Sequence, residues 1–256
     1  MNAPSSVTVP DTLIQVLREA RSITVLTGAG ISAESGIPTF RDSQTGLWAQ
    51  YDPHQLATPE AFHQNPTLVM DWYRWRRSLV SQSAPNAGHL ALAQMEAALQ
   101  RENHAFHLIT QNVDGLHAQA GSRRLIELHG SLQRLRCAND SSHYQTTQWG
   151  EDGSQPQCPT CDAHLRPDVV WFGEPLPAQA LEDALRAARA CDVFFSIGTS
   201  GVVEPAASLA YEALRAGATL VEINPQPTPL SVHARFYFPQ PAGVALPKIV
   251  QAVWAE

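Results

Sequence analysis

The sequence predicts an α/β fold, a parallel sheet with helices on both faces and a smaller inserted module. Three observations predict it. Short β-branched runs alternate with stretches of helical periodicity, the pattern of strands joined by crossover helices. A glycine-rich turn follows directly on the first of these runs, as in Rossmann-like folds. Two segments break the alternation, and one of them holds a Cys-x-x-Cys.

The elements follow in chain order. Residues 11–20 place Leu13, Val16, Leu17 and Ala20 on one face behind the acidic Asp11, and read as a capped amphipathic helix. Ser22–Thr27 is a β-branched run and so a buried strand. Further buried strands are expected at 106–110, 193–197 and 220–223. Helices are expected at 87–99, 178–190 and 205–216. Residues 42–81 are rich in aromatics and arginine, with turn signals at Asp52-Pro53, Thr58-Pro59 and Asn65-Pro66. Residues 137–167 are polar with little periodicity. Both segments are assigned to the second module, helical in the first and zinc-ribbon-like in the second. The Rossmann-like domain is then about 1–41, 82–130 and 171–256, and the small module about 42–81 and 131–170.

A chain of 256 residues accommodates one large domain with such an insert. A hydrophobic fraction of 44% against 16% charged reads as globular. The net charge of −7 makes nonspecific nucleic-acid or membrane binding a poor expectation, despite a local basic cluster at Arg74, Arg76 and Arg77. Residues 1–10 lack the basic start and apolar core of a signal peptide, and no apolar run reaches the roughly 18 to 20 residues that span a bilayer. A cytoplasmic protein is expected. Of the four cysteines, Cys137, Cys158, Cys161 and Cys191, only Cys158 and Cys161 have motif spacing, which in that reducing setting favours metal over disulfides.

The segment Thr27-Gly28-Ala29-Gly30-Ile31-Ser32-Ala33 matches G-x-G-x-x-A after a strand. Glycines there let the backbone turn tightly and approach a pyrophosphate, with N–H groups as anion contacts. Taken alone the motif is weak, and a glycine-rich strand-to-helix turn is its alternative. A dehydrogenase would place an acid about 20 residues on. Here Pro38 breaks any long helix and the loop runs on through Phe40 and Arg41.

The run from Gly28 to Arg41, GAGISAESGIPTFR, resembles the sirtuin signature. Gln111-Asn112-Val113-Asp114-Gly115-Leu116-His117 is similar to that family's second motif and Leu128-His129-Gly130 to its third. Gly198-Thr199-Ser200 and Asn224-Pro225 are similar to its later NAD contacts. The resemblance runs from about Val16 to the C-terminus, in the family's order. It implies an NAD-dependent protein-lysine deacylase with His129 as general base, whose ordinary pKa near 6.5 suits proton removal near neutral pH. Asn112 and Asp114 would orient the nicotinamide ribose and carboxamide, and Gln111 would hold the ribose near His129. Phe40 would shield the reactive sugar carbon, Arg41 would contact phosphate, and Ser200 and Asn224 would bind the adenosine half. Ala242 would contact adenine through its backbone. Gly28, Ala29, Gly30, Ala33, Glu34, Val113, Gly198, Thr199, Pro225 and Gln226 complete the implied cofactor site. In the implied reaction the acyl-lysine carbonyl oxygen attacks the ribose carbon and expels nicotinamide. His129 then activates a ribose hydroxyl that takes the acyl group. Free lysine, nicotinamide and O-acyl-ADP-ribose result. Val170, Phe172, Gly173 and Glu174 belong to a segment similar to the one that pairs with substrate backbone as an added strand.

The sequence departs from the family at its zinc site of two Cys-x-x-Cys pairs. The second pair is intact at Cys158 and Cys161, but the first reads Cys137-Ala-Asn-Asp140. Asp140, taken as the fourth ligand, or the nearby His143 could complete a tetrahedral site with Cys137, Cys158 and Cys161. The alternative is a module that folds without metal. Tyr73 and Arg76, three apart on a helical stretch, share one face. Together they match the Tyr-x-x-Arg pair of class III, desuccinylase/demalonylase-like sirtuins, and Ala57 resembles the small residue of a widened acyl pocket. Succinyl- and malonyl-lysine proteins or peptides are the expected substrates, with acetyl-lysine also admitted. A solvated basic helix face is the plainer reading of the same run. An oxidoreductase is disfavoured by the missing acid, and a non-catalytic NAD module by His129, Asn112 and Asp114 together. ADP-ribosyl transfer to protein stays open as a side activity.

Overall fold

The computed structural model describes residues 7–38 and 52–254. Phe40 and Arg41 lie outside the described residues. Six strands form one parallel sheet: β1 (Ser22–Thr27), β2 (Ala105–Thr110), β3 (Leu125–Glu127), β7 (Val193–Ile197), β8 (Thr219–Ile223) and β9 (Phe236–Phe238). Their order is β3-β2-β1-β7-β8-β9. The central strands β1 and β7 are buried almost throughout, because helices cover both faces of the sheet. Ile23 and Val25 pack with α1 (Asp11–Glu19), α5 (Ala87–Arg101) and α9 (Ala242–Trp254), through Leu17, Leu92, Met95 and Ile249. Leu26, one residue on, belongs to the opposite core, with Ala184 and Ala188 of α7 (Ala178–Ala190) and Leu209 and Ala213 of α8 (Ser208–Arg215).

Some expectations differ in detail. The helix expected from 205 begins only at Ser208, after a run of turns. The three-residue edge strands β3 and β9, and the last helix, were not expected from the sequence. Pro247 lies inside that helix and interrupts the pattern that would reveal it.

A second, antiparallel sheet, β5-β4-β6, is formed by β4 (Gly130–Cys137), β5 (Gln145–Thr146) and β6 (Leu165–Val169). It shares a core with α2 (Pro53–Leu56), α3 (Pro59–Gln64) and α4 (Pro66–Ser81), built from Phe62, Met70, Tyr73, Leu135, Trp149 and Trp171. All three turn signals are helix starts, with Pro53, Pro59 and Pro66 opening α2, α3 and α4. Thr58 Oγ1 accepts from Ala61 N at 3.1 Å and Asn65 Oδ1 from Leu68 N at 3.0 Å, each followed by proline at the first helical position. The basic cluster is not an open patch. Arg74 pairs with Asp71 at 2.9 Å, Arg77 lies over the Trp149 ring, and Arg76 is buried.

The two sheets meet at Gly130. Its φ is +77°, and a Cβ there would collide with the Asp168 carbonyl, so no other residue fits without displacement. Arg134 ties the junction, reaching Glu127 of β3 at 2.8 Å and Asp168 of β6 at 2.9 Å. Among the described residues no helix is long and apolar enough to cross a membrane.

Candidate active site

Strand order reverses between β1 and β7, which leaves a crevice at their carboxyl ends, the place where open α/β sheets bind ligands. Thr27 and Ile197 are paired there, so the loops opening at Gly28 and Gly198 lie side by side. Gly28 N donates to the Ile197 carbonyl at 3.0 Å and Gly30 N to the Gly198 carbonyl at 2.8 Å. A Cβ on Gly30 would stand 2.7 Å from Gly198 Cα and carbonyl oxygen. The glycines are thus required by contact between two loops, and the N–H groups of Gly28 and Gly30 are spent on it rather than on a phosphate.

Gln111, Asn112, Val113 and Asp114 leave the end of β2. Gln111 Nε2 donates to Thr199 Oγ1 at 2.9 Å, and Asn224 Nδ2 to the Thr199 carbonyl at 2.8 Å, so three strand ends are joined across the crevice. Asn112 Nδ2 donates to the Gly28 carbonyl at 3.2 Å and to Ser32 Oγ at 3.1 Å. Asp114 accepts from Ser32 Oγ at 2.8 Å and from Leu116 N at 2.9 Å. Burial raises the Asp114 carboxyl above the usual carboxylate range, against the lowering pull of those bonds and of Arg76. Val113 packs into the small module's core, and its carbonyl accepts from Leu132 N at 2.8 Å.

His129 stands at the start of β4, half-buried, with Nδ1 3.0 Å from the Gln111 carbonyl oxygen. A carbonyl only accepts, so Nδ1 carries the proton and Nε2 keeps its lone pair. Burial lowers the pKa of the ring, with the Gln111 bond acting in the opposite sense. The imidazole is therefore neutral at neutral pH, the form a base needs.

Sequence reasoning missed the layer beneath. His89 Nε2 lies 3.4 Å from Ser32 Oγ, and its ring stands 4.8 Å from that of His117. His117 Nε2 lies 2.9 Å from Thr27 Oγ1. Burial holds His89 down to about 4 and His117 to about 3. Asn86 gives the available sequence signal. It caps α5 together with His89 and donates to the Ile31 carbonyl at 2.7 Å, which anchors the glycine loop.

Other expected cofactor residues are placed unevenly. Gly198, Ser200, Pro225 and Gln226 sit on loops at the crevice end of the sheet, Ala29 opens a short 3-10 helix (Ala29–Ser35) there, and Ala33 in that helix is exposed. The Glu34 carboxylate accepts from Gly243 N at 2.7 Å, so it caps α9 beside Ala242. The converging amide, carboxylate, hydroxyl and imidazole groups of Asn112, Asp114, Thr199 and His129 suit a hydroxyl-rich nucleotide such as NAD.

The substrate-side residues form a second group. Val170 N donates to the His129 carbonyl at 3.0 Å, and Phe172 N to the Ala57 carbonyl at 3.0 Å. Phe172 is exposed and Gly173 has φ +85°. The expected extended segment instead turns at 171–174, where Glu174 N donates to the Trp171 carbonyl. The Glu174 carboxylate is engaged by Arg166 at 2.6 and 2.9 Å and by Trp171 N at 2.8 Å, which makes it a support of the turn rather than a free substrate contact. Tyr73 is buried and its hydroxyl accepts from Trp171 Nε1 at 2.9 Å. The Arg76 guanidinium lies 5.3 Å from the Tyr73 ring centroid; burial lowers its pKa, with Tyr73 and the Asp114 charge acting in the opposite sense.

The metal expectation needs one correction. Cys137, His143, Cys158 and Cys161 bring one ligand atom each within 4.8 Å of one another. Cys137 Sγ and Cys161 Sγ are 3.5 Å apart, and His143 Nδ1 is 3.4 Å from Cys161 Sγ. Zinc–sulfur bonds of about 2.3 Å in a tetrahedron separate ligands by about 3.7 Å, so the set fits zinc. Asp140 is not in the cluster. Its Oδ1 accepts from Ser142 N and Oγ, and its Oδ2 lies 3.8 Å from His143 Nε2, behind the ring. Asp140 to His143 is one turn, closed by His143 N donating to the Asp140 carbonyl at 3.1 Å, which carries the imidazole inward and leaves the carboxylate outside.

The comparisons with known proteins agree with this geometry. The Sir2 family pattern matches residues 28–205. An NAD-dependent protein deacylase of Aquifex aeolicus is 49% identical over 234 residues, 90% of this chain and 95% of that protein. NAD-dependent protein deacylase 1 of Pseudomonas aeruginosa is 46% identical over 246 residues, 93% and 97% of the two chains. A solved Sir2 homologue in complex with NAD superposes with a TM-score of 0.87 at 41% identity, covering 98% of this chain and 96% of that one. With the matched region spanning the glycine loop, the His129 strand and the metal module together, the chain belongs to the Sir2 family.

Proposed function

We propose that the chain is an NAD-dependent protein-lysine deacylase that prefers acidic acyl groups, succinyl or malonyl, and also accepts acetyl. The observation that carries the deacylase reading is the His129–Gln111 contact, which leaves a neutral imidazole nitrogen at a crevice lined by Asn112 and Asp114. NAD, when bound, supplies the ribose carbon that receives the acyl oxygen and the hydroxyl that carries the acyl group away. His129 Nε2 takes the proton of that hydroxyl. Asn112 and Asp114, fixed by Ser32 and Leu116 N, orient the sugar and the carboxamide. Gln111 holds the ribose side through Thr199. Asn224 and Ser200 serve the adenosine half, and the Phe172–Gly173 turn receives the substrate backbone.

The acidic preference is supported by a buried Arg76 next to the Tyr73 phenol, since a guanidinium and a hydroxyl together match a carboxylate. A bound zinc at Cys137, His143, Cys158 and Cys161 would stabilise the small module away from the crevice. That module is taken as about 42–81 and 131–170, and the NAD-binding domain as the remainder. The free thiols support a reducing, cytoplasmic setting. The test is a panel of acetyl-, succinyl- and long-acyl-lysine peptides with NAD, read by mass spectrometry. O-acyl-ADP-ribose and nicotinamide in equal amounts, fastest from the succinyl peptide, are expected. NADH formation, or no acyl transfer from any peptide, overturns the reading.

A further inference from the structure

We propose that Trp171 is a positioning residue for acyl selection: its indole N–H sets the Tyr73 hydroxyl as a hydrogen-bond donor toward the carboxylate of an acidic acyl group. This rests on the reading of Tyr73 and Arg76 as the acyl-carboxylate pair. The argument is one of donors and acceptors. Indole Nε1–H can only donate, and it points at Tyr73 Oη from 2.9 Å. The guanidinium of Arg76, which also has no acceptor, lies beside the same phenol. Neither neighbour can take the phenol proton, so that proton is available to an arriving acceptor. Trp171 and Tyr73 are 3% and 1% exposed, too dry for water to reorient the hydroxyl freely. Burial raises the Tyr73 pKa, which keeps the proton in place.

The indole is itself fixed. The Arg166 guanidinium lies 3.2 Å from its ring centroid. Glu174 grips both partners, receiving Arg166 at 2.6 and 2.9 Å and Trp171 N at 2.8 Å. A buried ion pair thus holds one tryptophan against one tyrosine, next to the exposed turn at Phe172 and Gly173.

The test measures kcat and KM on succinyl- and acetyl-lysine peptides of one sequence, for wild type, Tyr73→Phe, Trp171→Phe and the double variant. Loss of one net hydrogen bond predicts that Trp171→Phe lowers the succinyl-to-acetyl ratio of kcat/KM about 3- to 10-fold, through KM. In the Tyr73→Phe background it should produce no further fall. Benzothienylalanine at position 171 keeps the ring shape and lacks the N–H, so it should reproduce the fall with an unchanged unfolding midpoint. An undiminished ratio in both Trp171 variants, or a fall just as large without the Tyr73 hydroxyl, overturns the proposal alone. A wild-type enzyme with no preference for succinyl overturns the acidic-acyl reading and the proposal together.

Discussion

Nδ1 of His129 and the main-chain oxygen of Gln111 are 3.0 Å apart, and this single contact decides which imidazole nitrogen can act as base. Replacing His129 by alanine removes Nε2 and the bond to the Gln111 carbonyl, but keeps the Gln111–Thr199, Asn112–Gly28 and Asp114–Leu116 bonds that shape the crevice. We expect kcat to fall by about 10²- to 10⁴-fold, with NAD affinity nearly unchanged. The pH dependence follows from the lowered pKa. Protonation disables the base, and a depressed pKa moves that loss to more acidic pH. The acid limb of kcat/KM should therefore lie below the ordinary histidine value of about 6.5. Turnover by the alanine variant within a few-fold of wild type would remove His129 from the role.

Gly30→Ala tests whether the glycine loop is constrained by protein or by ligand. Its Cβ would meet Gly198 Cα and carbonyl oxygen at 2.7 Å, both backbone atoms that cannot swing aside. Overpacking of this kind costs about 1–3 kcal/mol. The variant should unfold earlier even with no NAD present, as measured by denaturant titration. A normal midpoint with weakened NAD binding would instead favour the phosphate explanation.

How far the sequence disclosed this arrangement depended on the length of each pattern. Strand β1 and helix α7 were legible because a full β-branched run and a full amphipathic period leave little choice. Strands β3 and β9 were not, since three residues carry no period. The crevice residues were legible as motifs, but their partners were not. Nothing in the spacing of Ser32, His89 and Asp114 tells that they form one hydrogen-bonded layer. Glu34 shows the converse limit, for its place in the glycine motif suggested a cofactor contact while its carboxylate caps a helix more than 200 residues away.

The buried histidines predict acid sensitivity. His89 and His117 are held to about 4 and about 3, below the unfolded value of about 6.5. Below 6.5 the unfolded chain binds protons that the folded chain refuses, so stability is lost as pH falls from there through about 4 and 3. Asp114, raised by burial, acts in the opposite direction. Denaturant midpoints taken from pH 7 to 4 should fall steadily. A His89→Gln, His117→Gln variant should show a flatter curve, and an unchanged slope would assign the acid loss to other groups.

Arg76→Met keeps an unbranched apolar stem and removes the charge. A charged hydrogen bond to an acyl carboxylate contributes about 1.5–3 kcal/mol, which corresponds to roughly 10- to 150-fold in kcat/KM. That loss should fall on succinyl and malonyl peptides, mainly in KM, and much less on acetyl. Tyr73→Phe should follow the same pattern with a smaller amplitude. Equal losses on all peptides would mark the pair as structural.

The metal cluster separates two roles that sequence spacing alone could not. His143 offers Nδ1 to the three thiols, whereas Asp140 lies 3.8 Å from the opposite ring nitrogen. A carboxylate behind a ligating imidazole fixes its tautomer and raises its basicity, and losing it costs about 10- to 100-fold in metal affinity. Losing the ligand itself leaves three thiolates and an open position, which should cost more. Purified protein should therefore carry close to one zinc per chain, with affinity falling modestly in Asp140→Ala and severely in His143→Ala. Competition with a chelator of known affinity measures both. Replacing the zinc with cobalt gives an independent view, because one nitrogen among three sulfurs shifts the visible spectrum from that of four sulfurs. The same spectrum should persist in Asp140→Ala and change in His143→Ala. The reverse order of effects would return Asp140 to the position of fourth ligand. A protein free of zinc and indifferent to chelator would mean that Cys137, Cys158 and Cys161 only pack.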